Sequence, residues 1–220
     1  LARPVPSGTI VGTIPAAMAD RLGLGHDVAV VAGGHDQPAA AFGAGAVSPG
    51  QALYAMGTVE CICPAFPMRI FSQDLFQNNL CIYDHVSKGL STSVAYSLTG
   101  GNLLKWFRDE WSAAERDEAA RTGANVYELI LRELPPNPTD LLVLPYFTPS
   151  GTPYFSIDVP GAILGLRLST TRGEVLRGLI EGVCLEMRLN LDILDRTGLK
   201  TDEFRAAGGG SKSRALNQIK

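Results

Sequence analysis

Short apolar segments that each end in a glycine turn restrict the fold of this chain more than any other feature of its sequence. The three clearest are residues 27–32 before Gly33 and Gly34, residues 52–56 before Gly57 and Thr58, and residues 204–207 before Gly208, Gly209 and Gly210. The first run is unbroken, which is typical of a strand covered on both faces. We therefore expect a buried strand at residues 27–32 and further strands before the other two turns.

Helical periodicity alternates with these strands. Apolar residues keep the 3.6-residue period over about five turns between Val175 and Leu194. Thr171 and Glu174 form a capping box at the start of this helix, and Gly198 closes it. Residues 101–111 and 126–134 are predicted as further helices. The alternation of strands and helices indicates the α/β class.

The composition excludes several classes of protein. With 45% hydrophobic and 19% charged residues in 220, the chain can bury a core, which excludes disorder and a coiled coil. A net charge of -3 without a basic block argues against nucleic-acid binding. No apolar run reaches the roughly 18 residues that would cross a membrane. The four cysteines and three histidines lack metal-ligand spacing, so we expect reduced thiols, no metal ligand and a cytoplasmic protein.

The glycine turns are candidate nucleotide contacts, because a turn without Cβ atoms lets backbone N–H groups approach a phosphate closely. Each turn alone is also explained as a simple connector. The last one fails the P-loop pattern, since Ser211 stands where that pattern requires glycine, and no early strand is followed by a Rossmann glycine motif. Asp36 follows an apolar strand, so it is either a general base or the N-cap of the next helix.

The order of the motifs is more specific than any one of them. They are Gly34-His35-Asp36-Gln37, Gly57-Thr58, Gly100-Gly101-Asn102-Leu103-Leu104-Lys105-Trp106, and the turn from Gly208 to Ser213 after a long helix. This set resembles the FGGY family of carbohydrate kinases, nearest to its xylulose kinase type, over essentially the whole chain. A second signature at residues 161–181 departs from the family's pattern at Gly178 and Leu179, which are packing positions on a helix.

The resemblance implies an actin-like ATPase (ribonuclease H-like) fold, an α/β fold with a mixed sheet and flanking helices. It also implies that residues 1–50 are the end of a first domain and residues 51–220 most of a second. Because the chain begins with Leu1 and ends at Lys220 within an expected helix, we expect it to be part of a longer protein. We expect this part alone to be inactive.

The resemblance also assigns roles to individual residues. Asp36 matches the family's catalytic base, and Gln37 a neighbour that contacts substrate hydroxyls. Seven further positions match nucleotide contacts: Gly57, Thr58, Gly101, Lys105, Gly209, Gly210 and Ser213. His35 is interpreted as a loop histidine.

The function implied is ATP-dependent phosphorylation of a sugar or polyol hydroxyl, with Mg²⁺ and with no membrane or nucleic-acid partner. Two alternatives stay open: a catalytically silent ATP-binding module, and another phosphotransferase of the same superfamily. The oligomeric state is open as well, with a homodimer as one option.

Overall fold

The computed structural model describes residues 3–67 and 70–220, which contain ten strands and eight helices. The strands are β1 (Ile10–Thr13), β2 (Ala29–Val31), β3 (Gln51–Met56), β4 (Glu60–Phe66), β5 (Ile82–Asp84), β6 (Ser91–Ser93), β7 (Ala95–Ser97), β8 (Leu142–Leu144), β9 (Ala162–Leu164) and β10 (Glu203–Ala207). The helices are α1 (Ala16–Leu22), α2 (Asp36–Gly43), α3 (Gln73–Gln77), α4 (Gly101–Trp111), α5 (Ala113–Thr122), α6 (Val126–Leu131), α7 (Arg172–Arg196) and α8 (Arg214–Ile219). A 3₁₀ turn at Gly210–Lys212 precedes α8.

A mixed sheet of six strands organises the chain. Its order is β10-β3-β4-β6-β5, and β7 also pairs with β4. Strands β10 and β3 are parallel, whereas β3 and β4 form an antiparallel pair in which Met56 faces Glu60. Because the carboxyl ends of parallel neighbours meet at one edge of a sheet, the turn after β10 lies beside the turn after β3.

The long helix α7 covers one face of this sheet and supplies much of the main core. Leu179, Val183 and Leu194 are buried in it together with Ile62 of β4 and Phe107 of α4. The predicted capping box is confirmed, since the Thr171 side chain accepts from the Glu174 N–H and the Glu174 side chain accepts from the Thr171 N–H. The helix therefore begins where the sequence predicted.

A smaller core lies on the opposite face of β3 and β4, where α2 packs. It contains Ala41 of α2, Leu53 of β3, and Cys61 and Cys63 of β4. Both cysteines are buried free thiols, and Cys81 and Cys184 are also unpaired. The packing of Ala41 in this core fixes α2, which begins at Asp36, against the central sheet.

The structure contradicts three details of the predicted elements. Strand β2 is exposed rather than buried, and among the described residues it pairs with β1 alone, which the sequence did not reveal. The sequence predicts one strand at residues 92–98, which the structure divides into β6 and β7. It also predicts a buried strand at residues 141–146, but in β8 only Val143 is buried. An apolar run shows that side chains can be buried, but the tertiary structure decides whether anything covers them.

Among the residues that the structure describes, no helix combines the length and the apolar character needed to cross a membrane.

Candidate functional site

A cavity of about 550 Å³ opens where the turns after β3 and β10 meet the start of α4. Residues of α6, α7 and α8 complete its walls, among them Leu131, Ile180 and Leu216. Its lining therefore combines backbone turns with an apolar interior. This combination suits a ligand that has one flat apolar part and one charged part.

All seven residues predicted to contact a nucleotide line this cavity, and they come from three separate segments of the chain. They are Gly57, Thr58, Gly101, Lys105, Gly209, Gly210 and Ser213. Asp36 and Gln37 do not line it, because they lie at the start of α2 on the other side of β4. The structure therefore brings the predicted nucleotide residues together and keeps the predicted base apart from them.

The turn between β3 and β4 is held against the start of α4 by backbone hydrogen bonds. The Gly101 N–H donates to the Gly57 carbonyl at 2.9 Å, and the Asn102 N–H donates to the Thr58 carbonyl at 3.1 Å. A Cβ atom on Gly101 would stand 2.5 Å from the Gly57 carbonyl oxygen. Gly101 is therefore required by the close approach of two backbone segments, whatever the cavity binds.

The three glycines after β10 have different surroundings. Gly208 has φ +94°, and a Cβ atom there would stand 2.7 Å from the Met56 carbonyl oxygen. A Cβ atom on Gly210 would stand 3.0 Å from the Met56 Cβ. A Cβ atom on Gly209 would meet nothing within 4 Å. Packing accounts for Gly208 and Gly210, whereas Gly209 alone keeps space open at the cavity.

Two hydroxyls in this turn already have backbone partners. The Ser211 hydroxyl donates to the Gly208 carbonyl at 2.8 Å. The Ser213 hydroxyl oxygen caps α8 by accepting from the Leu216 N–H at 3.3 Å. These bonds fix the turn in one conformation, so Ser213 shapes the cavity wall through its cap as well as through its position.

Asp36 is the first residue of α2, and its side chain is 84% exposed. The N-cap is His35, whose ring Nδ1 accepts from the Gln37 N–H at 3.3 Å. The alternative that Asp36 is the N-cap is therefore wrong, and His35 is not merely a loop residue. The Gln37 Oε1 atom is buried and has no hydrogen-bond partner among the described residues. The start of α2 thus carries an exposed carboxylate, whose Oδ1 lies 3.2 Å from the His35 Nδ1, and next to it a buried amide oxygen.

Cys61 on β4 lies close enough to Asp36 for the two groups to interact electrostatically. Its thiol is therefore considered as a candidate for covalent chemistry near Asp36. Burial is the main cause that raises the pKa of its thiol to about 12, and the charges of Cys63 and Asp36 add to it. A thiol with this pKa stays protonated near neutral pH and is a poor nucleophile. Cys61 therefore serves as a small apolar group in the core.

Sequence reasoning missed several residues of the cavity lining. Lys212 lines it, and neither Lys212 nor Lys105 forms an ion pair within the described part of the chain. Glu60 and Lys220 also line it, and they are bound to each other. The sequence did contain a signal that could have identified Glu60 as a candidate site residue. It is the one charged residue in the apolar stretch of residues 59–63.

Described residues contain no group of three or more histidine, cysteine, aspartate or glutamate side chains that could hold a metal ion. Of the acidic groups near the cavity, the carboxylate of Glu60 is bound to Lys220. A divalent cation at this cavity would therefore take most of its oxygen ligands from water and from the phosphates of a bound ligand.

Comparison with known proteins gives the same family as the ordered motifs. Residues 52–220 match the sequence profile of the C-terminal domain of the FGGY family of carbohydrate kinases. The chain is 28% identical to a xylulose kinase of Staphylococcus epidermidis over 98% of this chain and 41% of that protein. It is 30% identical to a ribulokinase of Geobacillus thermodenitrificans over 98% of this chain and 38% of that protein.

Solved structures agree with this result. The crystal structure of xylulose kinase from Rhodospirillum rubrum superposes with a TM-score of 0.78 at 29% identity, covering 98% of this chain and 41% of that one. The chain thus spans about two fifths of the length of the relatives it matches. The superposition confirms the predicted actin-like ATPase fold with its mixed sheet. On the profile match and these likenesses, the chain belongs to the FGGY family of carbohydrate kinases.

Proposed function

We propose that this chain is part of a kinase that transfers the γ-phosphoryl group of ATP to a hydroxyl of a sugar or polyol. The observation that carries the proposal is the cavity that gathers seven predicted nucleotide residues from three distant segments. Membership of a carbohydrate kinase family favours this reaction over acetate-type or hexokinase-type phosphotransfer. The exposed carboxylate of Asp36 argues against a silent ATP-binding module.

The proposal includes a division of the chain. Residues 1–50, which carry Asp36, belong to the end of the sugar-binding domain, and residues 51–220 belong to the nucleotide-binding domain. The family profile supports this division because its match begins at residue 52. The acceptor would then lie between the domains, close to the exposed side chain of Asp36.

Within the cavity, the proposed arrangement follows from charge and space. The phosphates lie at the turn of Gly57 and Thr58, and the adenosine lies along the turn that contains Gly209. Lys105 and Lys212, which line the same cavity, attract the polyphosphate. Apolar side chains such as Leu131 and Ile180 pack against the base.

Asp36 acts as the general base in this proposal. One of its carboxylate oxygens accepts the proton of the attacking hydroxyl while the hydroxyl oxygen bonds to the γ-phosphorus. The bond from that phosphorus to the β,γ-bridging oxygen breaks, and its electron pair leaves with ADP. The side-chain amide of Gln37, the residue that follows Asp36, would turn toward the acceptor and hydrogen-bond a second hydroxyl, which orients it.

Mg²⁺, when bound with ATP, neutralises charge on the phosphate oxygens. The chain's own part is limited, because its described residues include no cluster of three metal-binding side chains. The turn backbone and the two lysines therefore hold the nucleotide, and Asp36 remains free to move the proton.

The test is Asp36→Asn in the full-length protein, with Asp20→Asn as the matched control. Asp20 is an exposed aspartate on α1 that pairs with the exposed His26, and an exposed pair contributes little to stability. We expect Asp36→Asn to lower kcat by a factor of about 10² to 10⁴, because that is the usual effect of a positioned base. ATP affinity and folding should be unchanged. Near-normal turnover by Asp36→Asn on every sugar and polyol accepted by the wild type would refute the assignment.

A further inference from the structure

A buried ion pair forms part of the cavity wall, between Glu60 and Lys220. The Lys220 Nζ atom donates to Glu60 Oε1 at 2.6 Å and to Glu60 Oε2 at 2.7 Å. The Tyr54 hydroxyl donates to Glu60 Oε2 at 2.7 Å, and Lys220 Nζ lies 5.5 Å from the centroid of the Tyr54 ring. Both charged side chains are 6% exposed. The carboxylate and the ammonium group therefore satisfy each other almost completely.

Such a pair is a poor source of stability. Removing both charges from water costs several kcal/mol per ion, and well-packed apolar residues of similar volume often stabilise a protein as much. Tyr54 stays protonated and remains a hydrogen-bond donor to the Glu60 carboxylate, because burial first and the charge of Glu60 next raise its pKa. A role in holding geometry explains the pair better than a role in stability.

The pair connects the walls of the cavity. Glu60 begins β4 two residues after Thr58, and a Cβ atom on Gly100 would stand 2.8 Å from its Cγ. Lys220 directly follows α8, the helix that Ser213 caps at the end of the glycine turn. The ion pair therefore ties the turn of Gly57 and Thr58, and the start of α4, to the segment that carries Gly209.

The pair also affects the charge of the cavity. With Lys220 bound, the Glu60 carboxylate is neutralised, so the charged groups of the lining without an ion pair in the described part of the chain are Lys105, Lys212 and the carboxylate of Glu128. Without Lys220, a carboxylate would stand uncompensated behind the turn that we assign to the phosphates. It would repel a polyphosphate across a poorly hydrated wall, where charges are weakly screened.

We propose that Glu60 and Lys220 are a positioning pair for the nucleotide, which holds α8 against the β3–β4 turn and keeps the Glu60 carboxylate neutralised beside the phosphates. This inference rests on the proposed function of the cavity. It goes beyond that function by assigning a role to two residues that no motif of the sequence indicated.

The test compares Lys220→Met, Glu60→Gln and the double variant E60Q/K220M in the full-length protein. The control is Arg177→Met, which breaks the ion pair between Arg177 and Glu181 on α7, a pair outside the cavity lining. The dissociation constant of ATP is measured by calorimetric titration at low and high salt. Steady-state KM values for ATP and for the acceptor, and thermal unfolding, complete the measurements.

We expect Lys220→Met to weaken ATP binding by roughly tenfold or more, and Glu60→Gln by at most about threefold, because only the first leaves an uncompensated negative charge. Most of the difference should persist at high salt, because salt screens a buried charge much less than an exposed one. The KM for the acceptor should stay within about twofold, as the pair acts on the nucleotide alone. The neutral double variant should recover thermal stability but not full ATP affinity. Arg177→Met should lower stability without changing ATP affinity.

Two results would overturn the inference: equal ATP affinity in Lys220→Met and the wild type, or full recovery of both stability and affinity in the double variant. If Lys220→Met does not fold, the double variant takes its place, because it buries no charge. ATP affinity below that of the wild type then supports the inference, and wild-type affinity overturns it. A wild type that binds no ATP would instead refute the proposed function, so the two failures are distinguishable.

Discussion

Substitutions at Gly209 distinguish most clearly between two roles of the glycine turn. The turn either forms part of a ligand-binding cavity or only connects two elements. Its backbone has φ -61° and ψ -39°, which any residue can adopt. A Cβ atom there would meet no protein atom within 4 Å. Gly209→Ala should therefore stabilise the folded protein by about 0.4–1 kcal/mol, because alanine restricts the unfolded chain more than glycine does.

A larger side chain at the same position should weaken ligand binding, although alanine there stabilises the fold. Gly209→Val places a branched side chain in space that we assign to the adenosine, and overpacking of this kind costs about 1–3 kcal/mol. That range corresponds to binding about five- to a hundredfold weaker. Calorimetric titration with a non-hydrolysable ATP analogue measures the affinity, and urea unfolding measures the stability.

Gly210→Ala is the matched comparison one residue away. Its Cβ atom would stand 3.0 Å from the Met56 Cβ and 3.2 Å from the Met56 carbonyl oxygen. We therefore expect it to lower stability, because the crowding exists in the protein without ligand. If Gly209→Val folds normally and binds the analogue as tightly as the wild type does, the reasoning is refuted and the turn is only a connector.

Two further predictions concern stability. Burial, as the largest cause, raises the pKa of Glu186 to about 7 from its ordinary 4.5, so the folded state keeps a proton that the unfolded state releases. Stability should then fall by up to about 3 kcal/mol as pH rises from about 4.5 to 7. Glu186→Gln should abolish this fall, and parallel urea curves for the two proteins at pH 5 and pH 8 would contradict the prediction. Thr171→Ala removes the cap of α7 and should cost about 1 kcal/mol in urea unfolding, whereas Ser169→Ala, an exposed neighbour, should change nothing; equal stability of both variants would show that the cap contributes little.

Local features of the fold could be predicted from the sequence because their causes are local. The period of apolar residues in α7 and its capping box depend on residues at most four positions apart, and both are present in the structure. The β3–β4 hairpin follows in the same way from two apolar runs around Gly57 and Thr58. The ordered motifs were enough to indicate the family, because their order along the chain is specific even though each single motif is weak.

The remaining features depend on contacts between distant segments. Strand β2 carries the apolar run of a buried strand, but among the described residues it pairs with β1 and no further element covers it. His35 caps α2 because the chain turns at that residue, and a histidine is not a residue that cap preferences favour. Helix and strand preferences contain no information on either outcome.

The sequence by itself determined the start of α7, the β3–β4 turn and the order of the glycine turns, since each is set by neighbours along the chain. Only the tertiary structure decided that three of those turns and helix starts meet at one cavity, because the parallel pairing of β10 with β3 places their carboxyl ends side by side. It also decided that Glu60 meets Lys220 across 160 positions. Charges so far apart in the chain are paired by the order of strands in the sheet, which no local pattern of residues specifies.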